Sequence, residues 1–199
     1  MQIIHSDEEL KQAAGVFARA FVDYPLYTYL FPDQKQREKL LPILFEISAR
    51  YIAQYVYCIK NDGKVQAVLL IDAPGHKGPS IRDLLSLLVN FARKLPFRKS
   101  IKMLSVFRSI EKMKPQKAFY YIQTIAVDPN IQGKGLGQQV VNFAKSLAGS
   151  NTIYLETNSG QNVAYYEKLD FVQYATFKCD NGKGPSTYSF TWSINNETL

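Results

Sequence analysis

Apolar positions along the chain recur with two different periods, and the places where one gives way to the other mark out the elements. Leu10, Ala13, Ala14, Phe17, Ala18 and Phe21 fall at helical spacing, so one face of a first helix must pack on a core. Ser6 and Glu9 form a capping box at its start, each side chain satisfying a free backbone N–H. Ahead of it, Met1 to Ile4 reads as a short edge strand. "VDYPLYTYLFPD" reads as an aromatic-rich loop broken by Pro25 and Pro32. Asp33 then caps a second helix carrying Leu40, Leu41, Leu44, Phe45, Tyr51 and Ile52, which Pro42 should kink or start.

The period next shortens to that of strands at Tyr55 to Lys60 and Val65 to Asp72, joined by the hairpin turn "NDGK". After the loop "APGHKGP", two amphipathic helices are predicted over about 80–95 and 97–114, divided by Pro96. The first carries Ile81, Leu84, Leu85, Leu88 and Phe91, the second Phe97, Ile101, Leu104 and Phe107. A strand at Tyr120 to Val127, a glycine-rich segment, a helix to about Ala148 and a strand at Thr152 to Thr157 follow. A short helix at about 162–169 and strands near 171–178 and 187–194 close the chain. This order predicts an α/β protein with one mixed sheet covered by helices. The unit at 120–157 should be a right-handed parallel crossover.

Composition narrows the class. At 199 residues the chain can bury a core as one domain, and 46% hydrophobic content excludes a disordered chain. Cys58 and Cys179 are too few for a disulfide framework and have no metal-ligand spacing, so they read as buried apolar residues and no metal site is expected. "MQIIHSDEEL" lacks a basic stretch followed by an apolar one, so no secretory signal is expected, and no apolar run is long enough for a membrane span. A cytoplasmic location follows as the expectation. Of the net charge of +7, the segment from Arg93 to Lys117 supplies more than all, with nine basic residues against Glu111. A solvated helical face explains such a run; an acidic acceptor, the phosphates of a ligand, an anionic membrane or nucleic acid are the functional readings. Nucleic acid is not expected, because no recognised motif accompanies the charge.

The chemistry centres on "VDPNIQGKGLGQQVV", where Gly133, Gly135 and Gly137 occupy alternate positions between a strand and a helix. A helix start offers four backbone N–H groups without intrahelical partners and the positive end of the macrodipole. Bare backbone just before it lets an anion approach, which describes a phosphate-sized site. A plain strand-to-helix turn would need one such glycine. A Walker loop fails because Gly135 and Leu136, not a Lys–Ser/Thr pair after the final Gly, follow Lys134. A dinucleotide fingerprint fits Gly133, Gly135 and the distance to Glu156, but puts Gln138 where close packing wants Gly or Ala.

"VDPNIQGKGLG" resembles the acetyl-coenzyme A loop of the GNAT superfamily of N-acetyltransferases, V-x-P-x-x-Q/R-x-x-G-x-G/A, with Val127 and Pro129 leading into Gln132, Gly135 and Gly137. "LETNSGQNVAYYEKLDF" is similar to that family's closing segment, N-x-x-x-Y-E-K-x-G-F: Asn162, Tyr166, Glu167, Lys168 and Phe171 match, and Asp170 replaces the Gly. The two motifs cover about 120–178. The N-terminal half more loosely resembles the branch of antibiotic-type small-molecule acetyltransferases. The resemblance implies a single GNAT domain over 1–199: a mixed, mostly antiparallel sheet with one splayed parallel pair and helices on both faces. The cofactor core would lie at about 118–178, and the helical pair at 80–114 would be a substrate-side insertion.

The same resemblance implies acetyl-CoA as acyl donor and a small-molecule amine as acceptor. Backbone N–H groups over Gln132, Gly133, Lys134, Gly135, Leu136, Gly137 and Gln138 would bind the pyrophosphate, with Lys134 adding charge. The pantetheine arm would pair like a strand with Ile125, Ala126 and Val127, where a backbone N–H would also stabilise the oxyanion. Asn162 would bond the cofactor arm or cap the short helix, and Tyr166 would protonate the departing thiolate. Related sequences often carry a Glu base on the strand before the loop, where this chain has Gln123, which cannot take a proton at neutral pH. Glu156 on the neighbouring strand is the next candidate, and a chain of waters could also serve. His5 and His76 fall elsewhere. Asp23, Tyr24 and Tyr27 would receive the amine, unless these aromatics only pack the helices. The rival reading is an acyl-CoA-binding sensor or catalytically impaired module, as monomer or homodimer in either case.

Overall fold

The computed structural model describes residues 1–76 and 97–194. Its elements run β1 (Gln2–Ile3), α1 (Asp7–Phe21), α2 (Pro25–Leu30), α3 (Gln34–Ile47), β2 (Tyr55–Asn61), β3 (Lys64–Asp72), α4 (Phe97–Met113), β4 (Tyr120–Val127), α5 (Leu136–Ala148), β5 (Ile153–Thr157), α6 (Gln161–Glu167), β6 (Val172–Lys178) and β7 (Ser186–Trp192). The expected helix at 80–95, and with it most of the first half of the proposed insertion, lies outside the described residues. Among those described, no helix is long and apolar enough to cross a membrane.

Among the described residues the sheet has seven strands in the order β1-β2-β3-β4-β5-β7-β6. Every neighbouring pair is antiparallel except β4 and β5, which the α5 crossover makes parallel. β3 sits centrally and is buried on both sides. Val68 and Leu70 pack with Ala13, Phe17, Leu41 and Phe45 of α1 and α3, while Ala67, Leu69 and Ile71 meet Val140, Val141 and Ala144 of α5 on the other face. That two-sided burial is why "VQAVLLI" reads as a nearly continuous apolar run rather than an alternating one.

The local signals act as chemistry requires. Ser6 and Glu9 form the complete capping box, and the Asp33 carboxylate accepts the Gln36 N–H at 2.7 Å. Asp62 and Gly63 turn the β2–β3 hairpin with φ of 49° and 73°, the positive values a tight hairpin needs. Two expectations are corrected. "PLYTYL" is helix α2 rather than loop, with Pro25 at its first position, where a missing N–H costs nothing. Pro42 lies inside α3, which starts at Gln34, so it does not mark the helix's beginning; after α3 the chain continues into a π-helical turn, Ser48–Ile52. Asp170, in the place of a glycine, holds φ of 59°. The Lys145 ammonium donates to the neighbouring Leu169 carbonyl at 2.6 Å.

Candidate active site

β4 and β5 pair only over Tyr120↔Ile153, Tyr121↔Tyr154 and Ile122↔Leu155. Beyond that point β4 stays bonded to β3, through Ala67↔Val127, and β5 stays bonded to β7, through Thr157↔Tyr188. The two parallel strands therefore part, and among the described residues the far end of β4 has an open edge. Gln123 marks the transition: Leu70 pairs with Thr124 but Ile71 with Ile122, so Gln123 is the extra residue of a bulge. Its amide donates to the Asp72 carboxylate at 2.6 Å. The bulge shifts the alternation so that Ile122 and Ile125 both turn to the α5 face.

Register decides which main-chain groups face the opening. Asp128 N–H bonds the Gln66 carbonyl at 2.8 Å. Since alternate residues of an antiparallel pair exchange bonds, Ala126 also bonds toward β3, and Ile125 and Val127 point their N–H and C=O away from it. Of the three residues expected along the pantetheine arm, Ala126 is thus committed to β3, and its side chain is buried in the α1–α3 core. The Val127 carbonyl accepts the Gln132 side-chain amide at 3.3 Å, so Gln132 braces the loop against the strand end.

The glycines serve two purposes. Gly133 and Gly135 have φ of 82° and 77°, backbone that side-chain-bearing residues rarely adopt. Gly137 instead makes room: a Cβ there would lie 2.8 Å from the Tyr165 hydroxyl. α5 begins with Gly135 as its N-cap and no side-chain cap. The first bond back to the cap is Gln139 N–H to the Gly135 carbonyl, at 3.1 Å. The N–H groups of Leu136, Gly137 and Gln138 consequently have no intrahelical acceptor and point out of the helix end. Lys134 is exposed beside them.

Across the opening, the end of β5 carries a hydroxyl cluster. Thr157 Oγ1 accepts the Asn162 side-chain amide at 3.1 Å and the Ser159 N–H at 3.2 Å, and is hydrogen-bonded to the Tyr24 hydroxyl at 2.9 Å. The Tyr24 oxygen also accepts the Asn158 N–H. Asn162 is the second residue of α6, whose N-cap is Gly160, so it does not cap the helix. Tyr24 is brought to the site, and its phenol is raised above the usual tyrosine range by burial. Tyr27 is not brought there; its ring packs against Phe21, Tyr24 and Phe45. The exposed Asp23 carboxylate instead accepts the buried Arg37 guanidinium at 3.1 Å. Tyr166 is buried among Tyr165, Phe171 and Phe190, and its hydroxyl has no hydrogen bond among the described residues. Burial, then the neighbouring Tyr24 and Tyr165, push its phenol upward, which keeps it protonated at neutral pH.

Glu156 stands at the base of the opening, one residue past the last β4–β5 pair. Its Oε2 accepts the Tyr121 hydroxyl at 2.8 Å, while Oε1 is buried and has no hydrogen-bond partner among the described residues. Burial pushes this carboxyl up to about 7, against the opposing pull of Lys114 and the Tyr121 hydrogen bond. A buried carboxylate poised near neutrality, with one oxygen free, is equipped to take and release a proton. Tyr121 is the residue that the sequence did not single out: in a single strand it reads as one more aromatic, and only the β4–β5 register brings it to Glu156.

Residues 100–173 match a family described as acetyltransferase (GNAT) domain. Among solved structures, the chain is similar to a histone acetyltransferase HPA2 and related acetyltransferase from Corynebacterium glutamicum, at 20% identity over 100% of this chain and 98% of that one, with a TM-score of 0.70. It is also similar to a mosquito arylalkylamine N-acetyltransferase like 5b, at 16% identity over 97% and 98% of the two chains, TM-score 0.63. A third is the Drosophila melanogaster polyamine N acetyltransferase, at 15% identity over 97% and 98%, TM-score 0.59. At these identities the likeness is one of fold, and it spans nearly the whole chain, including both sides of the β4–β5 opening. Residues 100–173 are thus similar to an acetyltransferase (GNAT) domain, and the chain as a whole has the fold of these acetyltransferase structures.

Proposed function

We propose that this protein transfers an acetyl group from acetyl-CoA to the primary amine of a small molecule, by direct attack in a ternary complex. The observation that carries the reading is Glu156, a buried carboxyl near neutrality whose Oε1 lacks a partner at the base of the β4–β5 opening. A module that only bound acyl-CoA would have no use for such a group, which costs stability to bury.

The residues present fit acetyl-CoA. Three N–H groups at the uncapped start of α5, approached over left-handed glycines, suit the diphosphate. The outward main chain of Ile125 and Val127 suits an arm that bonds like an added strand. When bound there, acetyl-CoA would supply the thioester carbonyl and the thiolate leaving group. Glu156, through Oε1, takes the proton that the amine must lose before it can attack. The N–H of Ile125 or Val127, directed away from β3, would receive the negative charge developing on the carbonyl oxygen. Tyr166, protonated and buried, would give its proton to the departing sulfur and regain one from the second proton that the attacking nitrogen sheds as the C–S bond breaks. Holding the two reactants together in one opening supplies several kcal/mol without covalent chemistry by the protein. Tyr24 and the Thr157–Asn162 cluster form the wall on which the amine rests.

The test is a panel of arylalkylamines, polyamines and agmatine incubated with acetyl-CoA, reading free thiol. Amine-dependent thiol release that falls as pH drops below about 7 is expected. Saturable acetyl-CoA binding with no release for any amine would instead favour a sensor.

A further inference from the structure

The Arg93–Lys117 segment has a member that does not behave as a solvated charge. Lys114, just beyond α4, sits 4.0 Å above the Tyr121 ring and pairs with Glu111 at 2.7 Å. Tyr121 in turn donates its hydroxyl to Glu156 Oε2 at 2.8 Å. A carboxylate with two equivalent oxygens can rotate and present either one. A donor fixed to Oε2 removes that freedom and leaves Oε1 alone unpaired.

We infer that Tyr121 and Lys114 are positioning residues for the proton acceptor: Tyr121 pins Oε2 so that Oε1 faces the opening, and Lys114 holds Tyr121 from the α4 side. This rests on the reading of Glu156 as the base. The charged and titratable groups around the carboxyl come from every neighbouring element: Lys114 and Glu111 from the α4 end, Tyr121 from β4, Tyr154 from β5 and Tyr24 from the turn before α2. Of these, Lys114 and the hydroxyls of Tyr121 and Tyr154 favour the carboxylate, whereas burial and Glu111 favour the acid. Among the described residues, Tyr121 is the one that makes a direct bond at good length, and Lys114 is the one cation. The two therefore set where along the pH scale the group changes charge, in addition to where its free oxygen points.

The experiment is an infrared pH titration of the ligand-free protein. The band of the protonated Glu156 carboxyl is assigned by its absence in Glu156→Gln. In the native protein it should fade as pH rises through about 7. Tyr121→Phe removes a hydrogen bond to a charged group and should move the midpoint up by roughly one pH unit. Lys114→Gln should move it in the same direction and leaves the buried hydroxyl untouched, so it serves if Tyr121→Phe fails to fold. An unmoved midpoint in Lys114→Gln, or in a folded Tyr121→Phe, overturns the inference, because a role in packing alone would lower stability without moving the titration. The base reading fails separately, if Glu156→Gln keeps the pH profile of thiol release with acetyl-CoA and agmatine.

Discussion

At the scale of single residues, three substitutions separate the roles of the loop, the acid and the base. Gly135→Asp places a side chain on backbone with φ of 77° and a negative charge beside the uncapped N–H groups of α5. Acetyl-CoA affinity by calorimetry should drop at least about a hundredfold, the scale of losing two charge-assisted hydrogen bonds. Tyr166→Phe keeps the ring among Phe171 and Phe190 and removes only the proton donor. It should lower turnover by about 10²–10⁴-fold and leave acetyl-CoA affinity within about twofold, because its role is general acid catalysis. Glu156 ties function to stability. Its folded value of about 7 lies above the 4.5 of an ordinary glutamate, so the folded state keeps a proton that the unfolded state releases between those limits. Stability therefore falls as pH rises through that window and levels off above it. Glu156→Gln should flatten the rise of rate with pH and also raise Tm by several degrees at pH 8, with little change near pH 4. A thermal scan at the two pH values checks the second half.

At the scale of elements, what could be read from sequence was what neighbouring residues decide among themselves. The capping box at Ser6, the Asp33 cap, the "NDGK" hairpin and the glycine turn are local bargains between a side chain and its nearest backbone. Helix α2 was not legible because its reason is remote. Six residues that open on a proline hold no stable helix alone; Leu26 and Leu30 are buried in one cluster with Leu40 and Met103, and Arg37 ties down the chain on either side. That buried guanidinium donates to the carbonyls of Val22, Phe31 and Pro32 and to Asp23. Arg37→Ala should cost about 3–5 kcal/mol, since it strips donors from buried carbonyls and leaves a cavity. Urea unfolding checks this, and a loss under 1 kcal/mol would assign α2 to other contacts. The bulge at Gln123 was equally hidden: an apolar run shows its period, but an inserted residue appears only when two strands are laid side by side.

At the scale of the whole molecule, one topological fact organises the site. A sheet otherwise antiparallel contains a single parallel pair, β4 and β5, and each member keeps its outer partner while the pair parts beyond Ile122 and Leu155. The opening gathers groups far apart in sequence: outward main chain on β4, the start of α5, Glu156 and Thr157 on β5, Tyr166 on α6 and Tyr24 before α2. The motifs at 127–137 and 156–171 were legible because each is a short run with its own chemistry. The Tyr121–Glu156 pair and the commitment of Asp23 to Arg37 required tertiary structure. The most direct test of the account is a backbone-amide NMR titration of the protein with acetyl-CoA. It predicts saturable shifts concentrated at Ile125, Val127 and residues 132–138. Saturation that leaves those amides unmoved, or the absence of any binding, would contradict it.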